Sequence, residues 1–179
     1  MTDIQTLYQK AIRFAAEKHG DQKVKGSEIS YVVHLSNVAM EIFMAERHTA
    51  DFDLSYALQV ALLHDVIEDP KVSYEELKLT FGADIADAVE ALSKNDALER
   101  EMKMPDCLER IRKHRKEVLA VKLADRITNL QSPPSEWFND KIKSYLEESR
   151  LIYDALREGN HYLADRLRTK IEEYQQFIR

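Results

Sequence analysis

Residues 61–70 read Ala61-Leu62-Leu63-His64-Asp65-Val66-Ile67-Glu68-Asp69-Pro70. They continue an apolar stretch in which Leu54, Ala57, Leu58, Ala61 and Leu62 recur at spacings of three and four, the period of one helical face. A helix is expected over Phe52–Ile67, and Pro70, which has no amide hydrogen, stops it. His64 stands four residues after Val60, and Asp65 four after Ala61. Both therefore project toward the protein interior. Outward from this helix the same period recurs over Asp3–His19, His34–Glu46, Glu117–Leu130, Trp137–Arg157 and His161–Ile178. Ser73 with Glu76 makes a capping box for a short helix that ends before Gly82, and Asp84–Leu92 forms another. Pro105–His114 reads as a helix with Pro105 at or near its first position. Asp21–Ser30 is a polar loop, Asn95–Met104 a charged and mobile stretch, and Pro133-Pro134 a break. No stretch alternates as a strand. The expected fold is all-α, one bundle of about eight to ten helices, with residues 1–179 as a single domain.

Composition agrees. Four glycines and four prolines in 179 residues are too few for the many turns of a β-sandwich or barrel. Gly20, Gly26, Gly82 and Gly159 form neither a GxGxxG nor a GxxxxGK[ST] loop, so those two phosphate cradles are excluded. A net charge of −6 argues against broad binding to nucleic acid. It leaves room for a small anionic ligand in a locally basic pocket. One cysteine makes neither an internal disulfide nor a thiolate zinc site. The first twenty residues lack the apolar core of a signal peptide, and no apolar run approaches a membrane span. A cytoplasmic protein without membrane contact is expected, and its oligomeric state is left open.

Three polar intrusions into apolar helices carry the chemistry. His64-Asp65 is the first. Asp125 interrupts Val118-Leu119-Ala120-Val121 and Leu123-Ala124, and His34 follows Tyr31-Val32-Val33 at an expected helix start. A buried carboxylate is costly without a cation or strong donors. Taken singly, each residue is more often a core ion pair or a cap than a ligand. Taken together, two imidazoles and two carboxylates from three helices suit Mn²⁺, Fe²⁺ or Zn²⁺. Missing thiolates argue against a structural zinc knot. Glu68 and Asp69 lie four residues beyond His64 and Asp65. In a continuing helix they would stand one turn further on at the same angles. Beside a metal, such carboxylates can orient a water or take its proton. Otherwise they are a frayed acidic helix end.

His34, His64-Asp65 and Asp125 resemble the H…HD…D signature of the HD superfamily of metal-dependent phosphohydrolases. More specifically, residues 61–69 and Val121-Lys122-Leu123-Ala124-Asp125-Arg126-Ile127-Thr128-Asn129-Leu130 resemble the ALLHDxxED and VKLADRxxNL motifs of the (p)ppGpp hydrolase domain in RelA/SpoT homologues. Phe81-Gly82-Ala83-Asp84-Ile85 resembles the FG-x-x-[IV] segment between them. Residues 11–22 resemble the family's first helix, with its A-x-x-x-H-x-x-Q pattern. The likeness runs from about Ala11 to Tyr145, which leaves no room for a synthetase domain and points to the small alarmone hydrolases. The resemblance implies one Mn²⁺ on His34, His64, Asp65 and Asp125, with Glu68 and Asp69 positioning and deprotonating the attacking water. It implies Asn129, Lys141 and Tyr145 on ribose, phosphate and nucleoside, and Lys23 and Lys25 in the substrate-binding loop.

Three departures bear on the base. Relatives carry consecutive basic residues after the position of Gln22, one of them stacking on guanine; here the order is Lys23-Val24-Lys25. The usual Pro-Tyr-Ile…His-Pro frame reads Ser30-Tyr31-Val32-Val33-His34-Leu35, and the family's NLR reads Asn129-Leu130-Gln131. The expected activity is removal of the 3′-diphosphate from (p)ppGpp or its adenine counterpart (p)ppApp. Two alternatives remain: a different HD-superfamily nucleotidase, which should not need Asn129, Lys141 and Tyr145 together, and a nucleotide-binding module without turnover, which has no use for Glu68 and Asp69.

Overall fold

The computed structural model describes residues 3–69 and 72–179. Among them are nine α-helices and no strand, apart from an isolated antiparallel bridge between Lys23 and Ser30. The helices are α1 (Ile4–His19), α2 (Tyr31–Glu46), α3 (Leu54–Leu63), α4 (Tyr74–Phe81), α5 (Ala83–Leu92), α6 (Arg100–Ile111), α7 (Lys116–Asn129), α8 (Asn139–Leu156) and α9 (His161–Tyr174). Short 3₁₀ turns follow α8 and α9. Starts are set by local chemistry. The side chains of Asp3, Asp53, Ser73 and Asn160 accept from the amides of Thr6, Tyr56, Glu76 and Leu163, satisfying donors that a first turn leaves free. No described helix is long and apolar enough to cross a membrane.

The helix α7 forms the axis of the bundle. It packs on α2, α3, α5, α8 and α9. Every residue from Ala120 to Ile127 is buried, so α7 has no solvent face and its polar residues must find partners inside. At its outer end, Gly159 lies so close to Leu119 that an added Cβ would fall 2.4 Å from the Leu119 Cβ. Ala11, Ala15 and His19, spaced by four, are the buried positions of α1, and the two alanines let it lie close to its neighbours.

Four expectations change. The helix from Leu54 ends at Leu63, and His64 to Glu68 form turns. The regular helix is interrupted where His64 turns its ring back to the Ala61 carbonyl, but one helical turn survives beyond it: the Asp69 amide donates to the Asp65 carbonyl at 2.9 Å, so Asp69 stands one turn after Asp65 as expected. The expected stop at Pro70 lies outside the described residues. The helix α2 begins at Tyr31, so His34 sits one turn inside it. The helix α6 begins at Arg100 and includes Pro105 in its interior, so the second half of the stretch expected to be mobile is helical. Proline cannot donate to the Glu101 carbonyl; that turn is held instead by buried Met104 and by a 3.1 Å ion pair between Lys103 and Asp96.

Candidate metal centre and adjoining cleft

His34 comes from α2, His64 and Asp65 from the turn after α3, and Asp125 from α7. One donor atom from each lies within 4.8 Å of the other three. His34 Nε2 is 3.4 Å from Asp125 Oδ1 and 4.0 Å from Asp65 Oδ2. His64 Nε2 is 3.0 Å from Asp65 Oδ2 and 3.6 Å from Asp125 Oδ1. All but Asp65 are buried, and the Asp65 side chain is 19 % exposed.

The early end of α3 sets the tautomer of His64. The last carbonyls of a helix lack amide partners, and that of Ala61 accepts a 2.7 Å hydrogen bond from His64 Nδ1. In the neutral ring, the Nε2 lone pair then faces the carboxylates. His34 behaves alike. Thr128 Oγ1 donates to the Asp125 carbonyl at 2.9 Å, which leaves its lone pairs for His34 Nδ1–H at 3.4 Å. Both Nε2 atoms are buried without a hydrogen-bond partner. Two imidazole lone pairs turned on two carboxylates repel one another unless a cation lies among them. A proton can serve: burial opposes the charged form of His64, yet Asp65 and Asp125 outweigh it and hold its basicity well above the ordinary value. A divalent cation serves better, since neutral imidazole and carboxylate are its usual ligands. The donor set therefore fits a metal.

A surrounding layer of polar residues orients the carboxylates, as metal sites require. Tyr31 Oη donates to Asp65 Oδ2. Burial first, then the charge of Asp65, pushes the Tyr31 phenol far above its ordinary value, so it remains a donor. Buried Lys122 donates to Asp125 Oδ2 at 3.1 Å, and Asn129 Nδ2 donates to Asp125 Oδ1 at 2.5 Å. Burial alone would raise the carboxyl of Asp125; Lys122 and the two imidazoles reverse this and hold it well below the usual range. Burial likewise opposes ionisation of Asp65, and His64 outweighs it. Glu68 accepts from the Lys94 amide at 2.9 Å, with the Lys94 ammonium 3.6 Å away, and Asp69 accepts from Gln22 Nε2 at 2.6 Å.

Lys94 also lines a cleft of about 880 Å³ with Arg100, Lys141, Ser144, Tyr145 and Glu148. Lys141 and Tyr145, four residues apart on α8, thus share a pocket. The Lys141 ammonium lies 5.2 Å and that of Lys25 5.4 Å from the Trp137 ring centre. Burial, then Arg100, Lys25 and Lys94, lower the pKa of Lys141, and Glu148 opposes them; Glu101, Asp140 and Glu147 line the same cleft, so its basic groups stand among acidic ones. Lys23 is exposed on the same loop; among the described residues, the cations over Trp137 are Lys25 and Lys141. Tyr145 meets Trp137 edge-on at 5.1 Å and carries the Arg126 guanidinium 4.4 Å from its ring centre. Burial pushes its phenol up to about 12. Lys94 and Trp137 were not singled out from the sequence, and Gln22, Tyr31, Lys122 and Arg126 stood there as letters of motifs without a role. Lys122 had a readable signal, a second charge in an apolar run three residues before Asp125. The others depend on which loops meet.

A helical bundle that gathers two histidines and two aspartates from three elements defines a class of metal-binding phosphohydrolase folds. The sequence family described as HD domain matches residues 11–160, and the chain belongs to it. It is 30% identical over 172 residues to guanosine-3′,5′-bis(diphosphate) 3′-pyrophosphohydrolase MESH1 of Xenopus tropicalis, covering 93% of this chain and 94% of that one. A longer Aquifex aeolicus protein, named guanosine-3′,5′-bis(diphosphate) 3′-pyrophosphohydrolase, is 32% identical over 160 residues, which are 83% of this chain and 20% of that protein. Among solved structures, a metazoan ortholog of SpoT described as hydrolysing ppGpp superimposes with a TM-score of 0.79, at 28% identity over 98% of this chain and 97% of that one.

Proposed function

We propose that this chain, acting as one catalytic domain, is a metal-dependent hydrolase that removes the 3′-diphosphate from guanosine 3′,5′-bis(diphosphate) and releases pyrophosphate. One observation carries the reading: two imidazoles turn buried, unpartnered Nε2 atoms onto two carboxylates, in a chain alike along nearly its whole length to enzymes of that name. We take Mn²⁺ as the ion, held by His34, His64, Asp65 and Asp125. Such an ion, when bound, supplies a Lewis acid that makes water more acidic and polarises a phosphoryl oxygen.

The chain's own residues do the rest. Glu68 and Asp69 orient the water and accept its proton; Lys94 holds the first and Gln22 the second. The water oxygen bonds to phosphorus as the bond from phosphorus to the ribose 3′-oxygen breaks, and that oxygen takes up a proton. Lys25, Lys94, Arg100 and Lys141 balance charge on the diphosphates. Tyr145, a neutral donor, faces the nucleoside. Lys23 contributes to attraction from the loop rim. Asn129 spends one amide hydrogen on Asp125 and keeps its second hydrogen and its carbonyl oxygen for the ribose or diphosphate.

The base remains a choice between guanine and adenine, because half-buried Val24 stands between Lys23 and Lys25 where relatives carry adjacent basic residues. The test is pyrophosphate release from ppGpp, ppApp and a panel of ordinary nucleotides by Mn²⁺-loaded protein. Release from an alarmone, lost in Glu68→Gln with the metal retained, is the expected result. Cleavage of simple monophosphates alone would favour a nucleotidase. Tight alarmone binding without cleavage would make the chain a sensor.

A further inference from the structure

His19 and Gln22 belong to the A-x-x-x-H-x-x-Q pattern; Gln22 holds Asp69, and His19 stands behind it. His19 closes α1 at the end of its stripe of buried alanines and is 5 % exposed. Its ring stacks on that of Tyr31, with centres 4.7 Å apart and planes 29° apart. His19 Nδ1 lies 2.8 Å from Gln22 Oε1, and Gln22 Nε2 lies 2.6 Å from Asp69 Oδ2.

The hydrogens follow from these heavy atoms. A carboxylate only accepts, so the amide of Gln22 must present its NH₂ to Asp69. Its carbonyl oxygen then faces His19, and this oxygen also only accepts. His19 Nδ1 must therefore carry a proton. His19 Nε2 is buried and meets no hydrogen-bonding group among the described residues, so a proton there would be stranded. Every step fixes the next: His19 Nδ1–H to Gln22 Oε1, and Gln22 Nε2–H to Asp69. Gln22 is tied down further by its backbone. Its amide donates to the His19 carbonyl at 3.0 Å, and its carbonyl accepts from the Tyr31 amide at 2.9 Å.

We propose that His19 and Gln22 are positioning residues that form a one-way hydrogen-bond relay, aiming the Asp69 carboxylate at the reacting water, with Tyr31 holding the imidazole plane. The same Tyr31 donates to Asp65, so one stacked pair steadies both a metal ligand and the carboxylate that works beside it. The proposal deepens the hydrolytic reading and rests on it for the role of Asp69.

Three variants separate the relay from plain packing. His19→Phe keeps a ring on Tyr31 and removes the donor. His19→Asn gives up the ring but places an amide N–H near the old Nδ1. Gln22→Leu keeps bulk and breaks both links. His19→Phe and Gln22→Leu should lose roughly ten- to a hundredfold in kcat, the scale of a misplaced catalytic group, while KM and Mn²⁺ affinity stay within about twofold. His19→Asn should recover most of that loss although it packs worst. Unchanged kcat in Gln22→Leu, or equal losses in His19→Asn and His19→Phe, would overturn the proposal. If His19→Phe does not fold, Gln22→Leu on its half-buried loop decides. Nitrogen-15 NMR of the imidazole in the metal-loaded wild type needs no substrate. A hydrogen on Nδ1 is expected; a ring that carries its hydrogen on Nε2 alone refutes the relay. Failure of the wild type to cleave any alarmone would sink the hydrolytic reading, while the tautomer would still decide whether the relay exists.

Discussion

Lys122→Met tests whether the buried lysine belongs to the metal centre or only to the core. Lys122 is 5 % exposed, and its ammonium donates to Asp125 Oδ2 at 3.1 Å. Methionine preserves the apolar stem and removes the charge. Removing one partner of a buried ion pair costs about 3–5 kcal/mol. Asp125 keeps Asn129 at 2.5 Å and two imidazoles at 3.4 and 3.6 Å, which favours the lower end, about 3 kcal/mol. In a chain of this size each kcal/mol moves Tm by roughly 2–4 °C, so the metal-free variant should melt about 6–12 °C below the wild type. Mn²⁺ on the same carboxylate replaces the missing charge, and the gap should then shrink to less than half. Thermal melts of both proteins in chelator and in excess Mn²⁺ measure this. The pH dependence has a definite sign. The Asp125 carboxyl is held below the usual range in the fold. Its contribution is therefore complete above the unfolded pKa of about 4 and is lost as acid titrates the folded group. Losing Lys122 raises the folded value, so the acid limb of the metal-free variant should move to higher pH. Equal gaps in both buffers, or no gap in chelator, would refute the assignment of Lys122 to the site.

Gly26→Ala should raise KM several-fold with a small change in kcat. Its φ of +74° costs a side chain about 1–2 kcal/mol, and the new Cβ would fall 2.7 Å from the Pro134 Cβ, pushing the Lys25 loop away from Trp137; steady-state kinetics check it. KM should also rise as NaCl goes from about 0.05 to 0.5 M, because screening weakens the pull of Lys25, Lys94, Arg100 and Lys141, whereas kcat should hold. Gly159→Ala should cost about 1–3 kcal/mol by overpacking Leu119, seen as a lower melting temperature with unchanged KM. Chelation of wild-type protein should lower Tm, by an amount that grows with the metal concentration removed.

The helices were legible because their buried positions repeat at helical spacing and their ends carry Asp, Ser, Asn or Gly. The metal ligands were legible for the opposite reason: His34, His64, Asp65 and Asp125 interrupt apolar runs that have no local use for them. What the sequence concealed was three-dimensional. Nothing local distinguishes a helix that continues past His64 from one that stops to give its carbonyl to an imidazole. Tertiary contacts also carry α6 through Pro105 against its propensity. Lys25 and Lys141 are 116 positions apart and meet only because the Lys25 loop and the first turn of α8 both face Trp137. The contact of Gln22 with Asp69 is as obscure: each belongs to a motif, but nothing in either motif sets one against the other.

The bond from His64 to Ala61 sets a rule for anyone copying this centre into a designed protein. In an uninterrupted helix, the Ala61 carbonyl would be engaged by the amide of residue 65, and His64 would have no backbone acceptor to select its tautomer. Grafting a His-Asp pair onto a straight host helix would reproduce the letters and lose the ligand. The transplantable unit is the helix terminus itself, with the frayed carbonyl, the ring that claims it and the turn that follows.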